Sequence, residues 1–232
     1  MWWCPSAGLL KKCSDPGRPF LKNLQKMQKS DMRPAECQAD LGDAVIDYLD
    51  YPVNGPPLLL LHATGFLPWL WHPVARQLAP EYHVLAPYFC DYRHTDPEKG
   101  GFSWKKIAED LMVFCELLDI RRPYVAGHSM GGAVAVIAAG ELGLDPVKMV
   151  LIEPIILPEA AYGEKIEVHE HPLAAKSIKR RNQWQDEKEV RQYLESKPFF
   201  EKWNSEVLEF YLQHGVRRAG PGGLSLTCHP RR

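Results

Sequence analysis

Apolar and polar positions fall into a regular rhythm from Asp43 onward. Ala44 to Tyr51 alternates apolar and polar, the period of a half-exposed strand. Pro57 to His62 (PLLLLH) is a continuous apolar run, as expected of a strand buried on both faces. Asn54-Gly55 lies between the two runs and predicts a hairpin turn, so the first strand is expected to be an antiparallel edge leading into a buried parallel sheet. Trp71, Val74, Ala75 and Leu78 recur at helical spacing, and His83 to Pro87 (HVLAP) reads as a short strand. Ile107, Leu111, Phe114 and Leu118 mark a helix over Trp104 to Leu118, with Ser103 as its N-cap. Pro123 to Ala126 predicts a buried strand, Ala133 to Ala139 a helix of small residues, and Val147 to Glu153 a further buried strand. This β-α-β-α-β-α-β order predicts an α/β fold with a mostly parallel, doubly wound sheet, right-handed crossovers and sites at the carboxyl ends of the strands.

Outside that core the pattern changes. Residues 1–42 are basic and broken by Pro16, Pro19 and Pro34, which predicts a flexible extension. A mitochondrial-type leader is the other reading, against which Asp15 and Asp31 count. The core is expected over 43–157. Residues 158–218 hold no continuous apolar strand and are rich in charge and aromatics, including Trp184, Tyr193, Phe199, Trp203, Phe210 and Tyr211. They read as amphipathic helices, for example Glu187 to Glu195 and Ser205 to His214, the aromatics serving mostly their own packing. Residues 219–232, with Gly220-Pro221-Gly222-Gly223, form a tail with one short strand.

The candidate chemistry sits between the Pro123 strand and the following helix, at Gly127-His128-Ser129-Met130-Gly131. In strand–turn–helix context this G-x-S-x-G pattern holds a serine in a strained conformation with its hydroxyl above the sheet. Gly127 and Gly131 are required because a Cβ at either would strike the turn or a neighbouring strand. The helix starting after Ser129 turns free N–H groups and the positive end of its dipole to the same place.

On these residues the chain resembles the α/β-hydrolase superfamily of serine hydrolases, over about residues 43–228 and most strongly from Leu58 to Pro154. The resemblance implies that 158–218 form a helical cap and that Ser129 is the nucleophile. It implies an oxyanion hole of two backbone N–H groups, from Met130 and from the loop His62-Ala63-Thr64-Gly65-Phe66, where ungapped counting favours Thr64 over Phe66. His62 is expected to brace that loop. Glu153, at the end of the strand after the nucleophile helix, has two readings: the acid that orients the base, or a solvated strand-end carboxylate at the cap entrance. The family's base lies late in the chain, after the last strand. Here His169, His171, His214 and His229 follow Ser129, all in the cap or the tail, and the sequence ends before the family's last two strands. Tyr88 to Asp96 (YFCDYRHTD) also departs from the family's Asp-x-x-Gly-His-Gly-x-Ser loop.

Composition narrows the partners. Lys and Arg number 28 against 29 Asp and Glu, a formal charge of −1, which gives no footing for nucleic acid. No apolar run approaches a membrane span. The 6 cysteines lack C-x-x-C or Cys/His metal spacing and read as reduced thiols of a cytoplasmic protein. No motif calls for a metal or cofactor, and a nucleotide-binding reading fails because the glycines are not G-x-G-x-x-G. Two functions follow: a serine esterase acting on a small acyl substrate, or a non-catalytic hydrolase-like chain whose exposed sheet edge is covered by a partner or a second copy.

Overall fold

A computed structural model describes residues 12–13, 32–90, 92–93, 103–157, 177–220 and 223–231. Its central sheet holds seven strands: β1 (Lys12–Cys13), β2 (Ala35–Asp40), β3 (Val45–Tyr51), β4 (Pro57–Leu61), β5 (His83–Pro87), β6 (Tyr124–His128) and β7 (Lys148–Ile152), in the order β1-β2-β3-β5-β4-β6-β7. The first three are antiparallel, and β5, β4, β6 and β7 run parallel. The apolar run of β4 is buried on both faces, as its sequence requires. Leu59 and Leu61 join a core with Ile107, Leu111 and Phe114 of α2 (Trp104–Leu117) and Val134 of α3 (Met130–Glu141). Leu58 and Leu60 face the opposite core, with Ala75 of α1 (His72–Leu78) and with Leu194 and Tyr211 from the helices after β7. Ser103 caps α2 by accepting a hydrogen bond from the Lys106 amide.

Three expectations are corrected. The predicted hairpin between β3 and β4 does not form: β5 lies between them, antiparallel to β3 and parallel to β4. The type I′ turn that Asn-Gly favours needs positive φ at both central residues, and neither Asn54 nor Gly55 has it. The sheet also begins earlier than Asp43. Residues 35–40, placed in the extension by the sequence pattern, form β2, with Ala35, Cys37 and Ala39 turned into the core. Their small side chains give too faint an apolar alternation to be read. Finally, Cys37 is disulfide-bonded, so the reduced-thiol reading does not hold for it, whereas Cys90, Cys115 and Cys228 are free. The rest of the extension lies outside the described residues.

The divergent loop after β5 has its own anchor. Asp110 on α2 accepts from the Tyr92 hydroxyl at 2.5 Å and from Arg93 at 2.6 and 2.8 Å, and Arg93 also donates to Asp43. Burial alone would raise the Asp110 carboxyl, but donors from Arg93, Tyr92 and Lys106 outweigh it and hold it low. This charge cluster fixes where the chain leaves the sheet beside the site.

Beyond β7 come α4 (Glu187–Glu195), α5 (Pro198–Glu201) and α6 (Ser205–His214), followed by a hairpin of β8 (Val216–Ala219) and β9 (Gly223–Leu226). The bounds of α4 and α6 match the sequence reading, and each helix begins at a side-chain cap. Asp186 accepts from the Glu189 amide and Asn204 from the Glu206 amide. Of this hairpin β8 was not expected, since Arg217 and Arg218 offer no apolar alternation. A bidentate pair of Arg76 on α1 with Glu206 on α6, at 2.5 and 2.8 Å, ties these helices to the core. At the far edge, among the described residues, β7 pairs with β6 alone, and Met149, Val150 and Ile152 are 38 %, 58 % and 41 % exposed, so the strand expected to be buried is open because no described element covers it.

Candidate active site

Strand β6 delivers the chain to Gly127 and His128, and α3 starts at Met130. Ser129 bridges them at φ 52°, ψ −114°, a region that side-chain-bearing residues avoid. The turn is held by the Ser129 amide donating to Ile152 O at 2.9 Å, which locks it onto the end of β7. The two motif glycines sit where the sequence argument placed them. A Cβ on Gly127 would lie 2.6 Å from the Gly131 carbonyl carbon, and one on Gly131 would lie 2.3 Å from Leu61 O. Only bare backbone lets α3 approach β4 this closely.

The loop after β4 faces the turn. Here the amide inventory separates the two alternatives left by the sequence. The Phe66 amide donates to Ala63 O at 3.1 Å and is consumed by that turn. Among the described residues neither the Thr64 amide nor the Met130 amide has an acceptor. The Phe66 ring stacks on His128, with centroids 6.5 Å apart and planes 13° apart, and roofs the turn. A cleft of about 250 Å³ opens beside it, lined by His62, Ala63 and Phe66, by Leu70, Trp71 and Val74, and by the strand-end residues His128 and Ile152. Its lining is largely apolar. A smaller cavity of about 140 Å³ opens at the other end of the sheet, among Pro57, His83 and Asp119, and offers no nucleophile.

His62 braces the loop. Its Nε2 accepts from the Phe89 amide at 2.9 Å, so its Nδ1 carries the proton and donates to Ala63 O at 2.9 Å. Both ring nitrogens are committed, and burial pushes the imidazole down to about 4. Burial likewise brings His72 and His214 down to about 4. An unfolded chain binds these protons near pH 6.5, whereas the folded chain refuses them until about pH 4. Their contribution to stability is therefore fully present above pH 6.5 and is lost as pH falls towards 4. Urea titrations across this range should show a falling unfolding free energy, and His62→Gln should make the fall shallower.

The Ser129 hydroxyl has no hydrogen-bond partner among the described residues. The His214 ring is stacked on Trp69 at 3.9 Å, and His229 Nδ1 accepts from the Arg231 amide. Neither bonds to Ser129. His169 and His171 lie outside the described residues. Glu153 is exposed and holds a left-handed backbone at φ 44°. Its charge acts on His128, whose proton affinity burial lowers and Glu153 partly restores. The sequence passed over Arg180, which stands in the run Lys179-Arg180-Arg181 and reads there as solvated charge.

The alpha/beta hydrolase family profile matches residues 58–229. An uncharacterised protein of Mycobacterium tuberculosis is 33 % identical over 82 residues, which are 35 % of this chain and 24 % of that protein. The chain thus matches about a quarter of that relative's length. Among solved structures, an E-2-(acetamidomethylene)succinate hydrolase superposes with a TM-score of 0.68 at 18 % identity, over 84 % of this chain and 69 % of that one. A peroxisomal alpha-beta-hydrolase of Saccharomyces cerevisiae superposes with a TM-score of 0.60 at 20 % identity, over 81 % of this chain and 58 % of that one. At such identities the likeness is one of fold. With its sheet order, its strained serine turn and a family match over most of its length, the chain belongs to the alpha/beta hydrolase family.

Proposed function

We propose that the chain is a serine hydrolase that cleaves an ester or related acyl bond of a small, largely apolar substrate through an acyl-serine intermediate. The observation that carries the reading is the backbone of Ser129: a strained φ of 52° costs on the order of 1–3 kcal/mol and sets the side chain at the start of α3, beside the Met130 amide, unpaired among the described residues. In this reading the Ser129 oxygen attacks the acyl carbon, and the Thr64 and Met130 amides hold the oxyanion. The alcohol departs with a proton, and water then releases the acid and restores Ser129. In this reading a base outside the described contacts of Ser129 takes its proton and passes it to the departing alcohol, Glu153 is the carboxylate that orients that base, and the apolar cleft under Phe66 receives the acyl chain. Hydrolysis of short 4-nitrophenyl esters tests the reading: turnover should drop to background in Ser129→Ala, and undiminished turnover would sink it.

A second reading is favoured by two observations made among the described residues, the unpartnered Ser129 hydroxyl and the uncovered apolar edge at β7. Here the same fold serves as a binding scaffold, and a partner or a second copy of the chain pairs with β7. Light scattering separates the two. The scaffold reading predicts concentration-dependent association that Val150→Lys abolishes, without any esterase activity.

A further inference from the structure

We infer that Arg180 is a specificity-determining residue that recruits a carboxylate-bearing acyl substrate to the Ser129 site. The inference deepens the reading of that site as one of acyl transfer. Three features of Arg180 carry it. The first is position: a Cβ on Gly65 would lie 2.3 Å from Arg180 Nη1, so the guanidinium lies against the loop that presents the Thr64 amide, one residue away. Gly65 also has a φ of +75°, and no other residue would both adopt that backbone and leave the seat open.

The second feature is its partner. Arg180 Nη2 donates to the Tyr211 hydroxyl at 3.0 Å, and Tyr211 is 1 % exposed. Burial pushes the Tyr211 phenol up to about 12, so this partner stays neutral and leaves the guanidinium charge uncompensated. The Tyr211 ring lies 6.0 Å from Phe66, which in turn stacks on His128. Arg180 is thereby joined to the roof of the serine turn through two aromatic contacts.

The third feature is the contrast with neighbouring arginines. Arg76 pairs with Glu206, Arg93 with Asp110, Arg181 with Glu189 and Arg191 with Glu209. Arg180 has no carboxylate partner among the described residues, although it is only partly exposed. A guanidinium carries five donors in a planar fork, of which the Tyr211 contact uses one. A partly desolvated cation held beside an acyl-transfer site without a counterion suits an anion that arrives with the substrate. The fork matches a carboxylate bidentately, and the substrate class inferred is one whose carboxylate meets Arg180 while its ester carbonyl meets Ser129.

The test uses monomethyl glutarate, which carries one ester and one carboxylate, against dimethyl glutarate, which carries two esters. Binding is measured by calorimetry on Ser129→Ala, where turnover is blocked, so the result stands apart from whether Ser129 is the nucleophile. Monomethyl glutarate should bind about 10- to 100-fold more tightly than the diester, and Arg180→Gln in the same background should erase the preference. Arg180→Lys, which keeps the charge but loses the fork, should retain part of it. Equal binding of the two compounds, no binding of the monoester, or a preference that survives Arg180→Gln in a protein with an unchanged melt would overturn the inference. A preference that depends on Arg180, found while the parent chain with Ser129 intact hydrolyses neither compound, would overturn the proposed activity instead and leave the anion site standing.

Discussion

Ser129→Ala should reduce ester hydrolysis by several orders of magnitude, with no loss of fold. Removing a serine nucleophile typically costs about 10⁶ in turnover, leaving roughly 10³–10⁴ over water from the oxyanion donors and substrate binding. The donors proposed here are backbone amides of Thr64 and Met130, which the substitution leaves in place, so the residual rate should stay above that of free solution. Stability should move differently. Alanine is as poorly suited as serine to a φ of 52°, whereas glycine adopts it without strain. Ser129→Gly should therefore be more stable than Ser129→Ala by about 1 kcal/mol while being equally inactive. Thermal melts beside ester assays on the three proteins check both arms. A serine that is merely structural would show the melt difference without the loss of rate.

Gly131→Ala should be the most damaging methyl addition among the described glycines. The new Cβ would lie 2.3 Å from Leu61 O and 2.6 Å from Leu61 C, and both are backbone atoms of a central strand that no rotamer change can move. Relief requires α3 to back away from β4, which opens the core between Leu61 and Val134. The expected cost is about 3 kcal/mol or more, a large share of the 5–15 kcal/mol that typically separates folded from unfolded domains. Gly127→Ala meets Gly131 backbone at 2.6 Å and should be nearly as severe. By contrast Gly140→Ala, with nothing within 4 Å of the new Cβ, should be neutral or slightly stabilising, since it lies inside α3. Denaturant melts of the three variants rank them directly, and a Gly131→Ala protein as stable as the parent would contradict the close approach of α3 and β4.

The parallel core was readable because its strands advertise themselves. Leu58 to Leu61 must be covered on both faces, and such a run has no stable place except mid-sheet. The serine turn was readable because its glycines and its flanking strand and helix are contiguous in sequence. Strand order was less accessible: β3 and β4 are neighbours in sequence and look like a hairpin, but β5 separates them, and local propensity says nothing of which strand arrives between two others. The helices α4 and α6 match their sequence reading to the residue, and the structure shows Asp186 and Asn204 capping them, while β8, with Arg217 and Arg218 at its centre, carried no apolar period. Arg180 was invisible for a related reason. In sequence it is the middle of three cations, and only the fold distinguishes the one seated on Gly65 from Arg181, which finds Glu189. The Phe66 amide was likewise removed as a donor by a turn bond that no spacing rule encodes.

Whether Ser129 is an activated nucleophile is tested most directly by intact-mass analysis of the folded chain after exposure to a fluorophosphonate. The account predicts one adduct, formed faster than on free serine and missing from Ser129→Ala. A folded sample that forms no adduct, or an adduct that persists in Ser129→Ala, would contradict it.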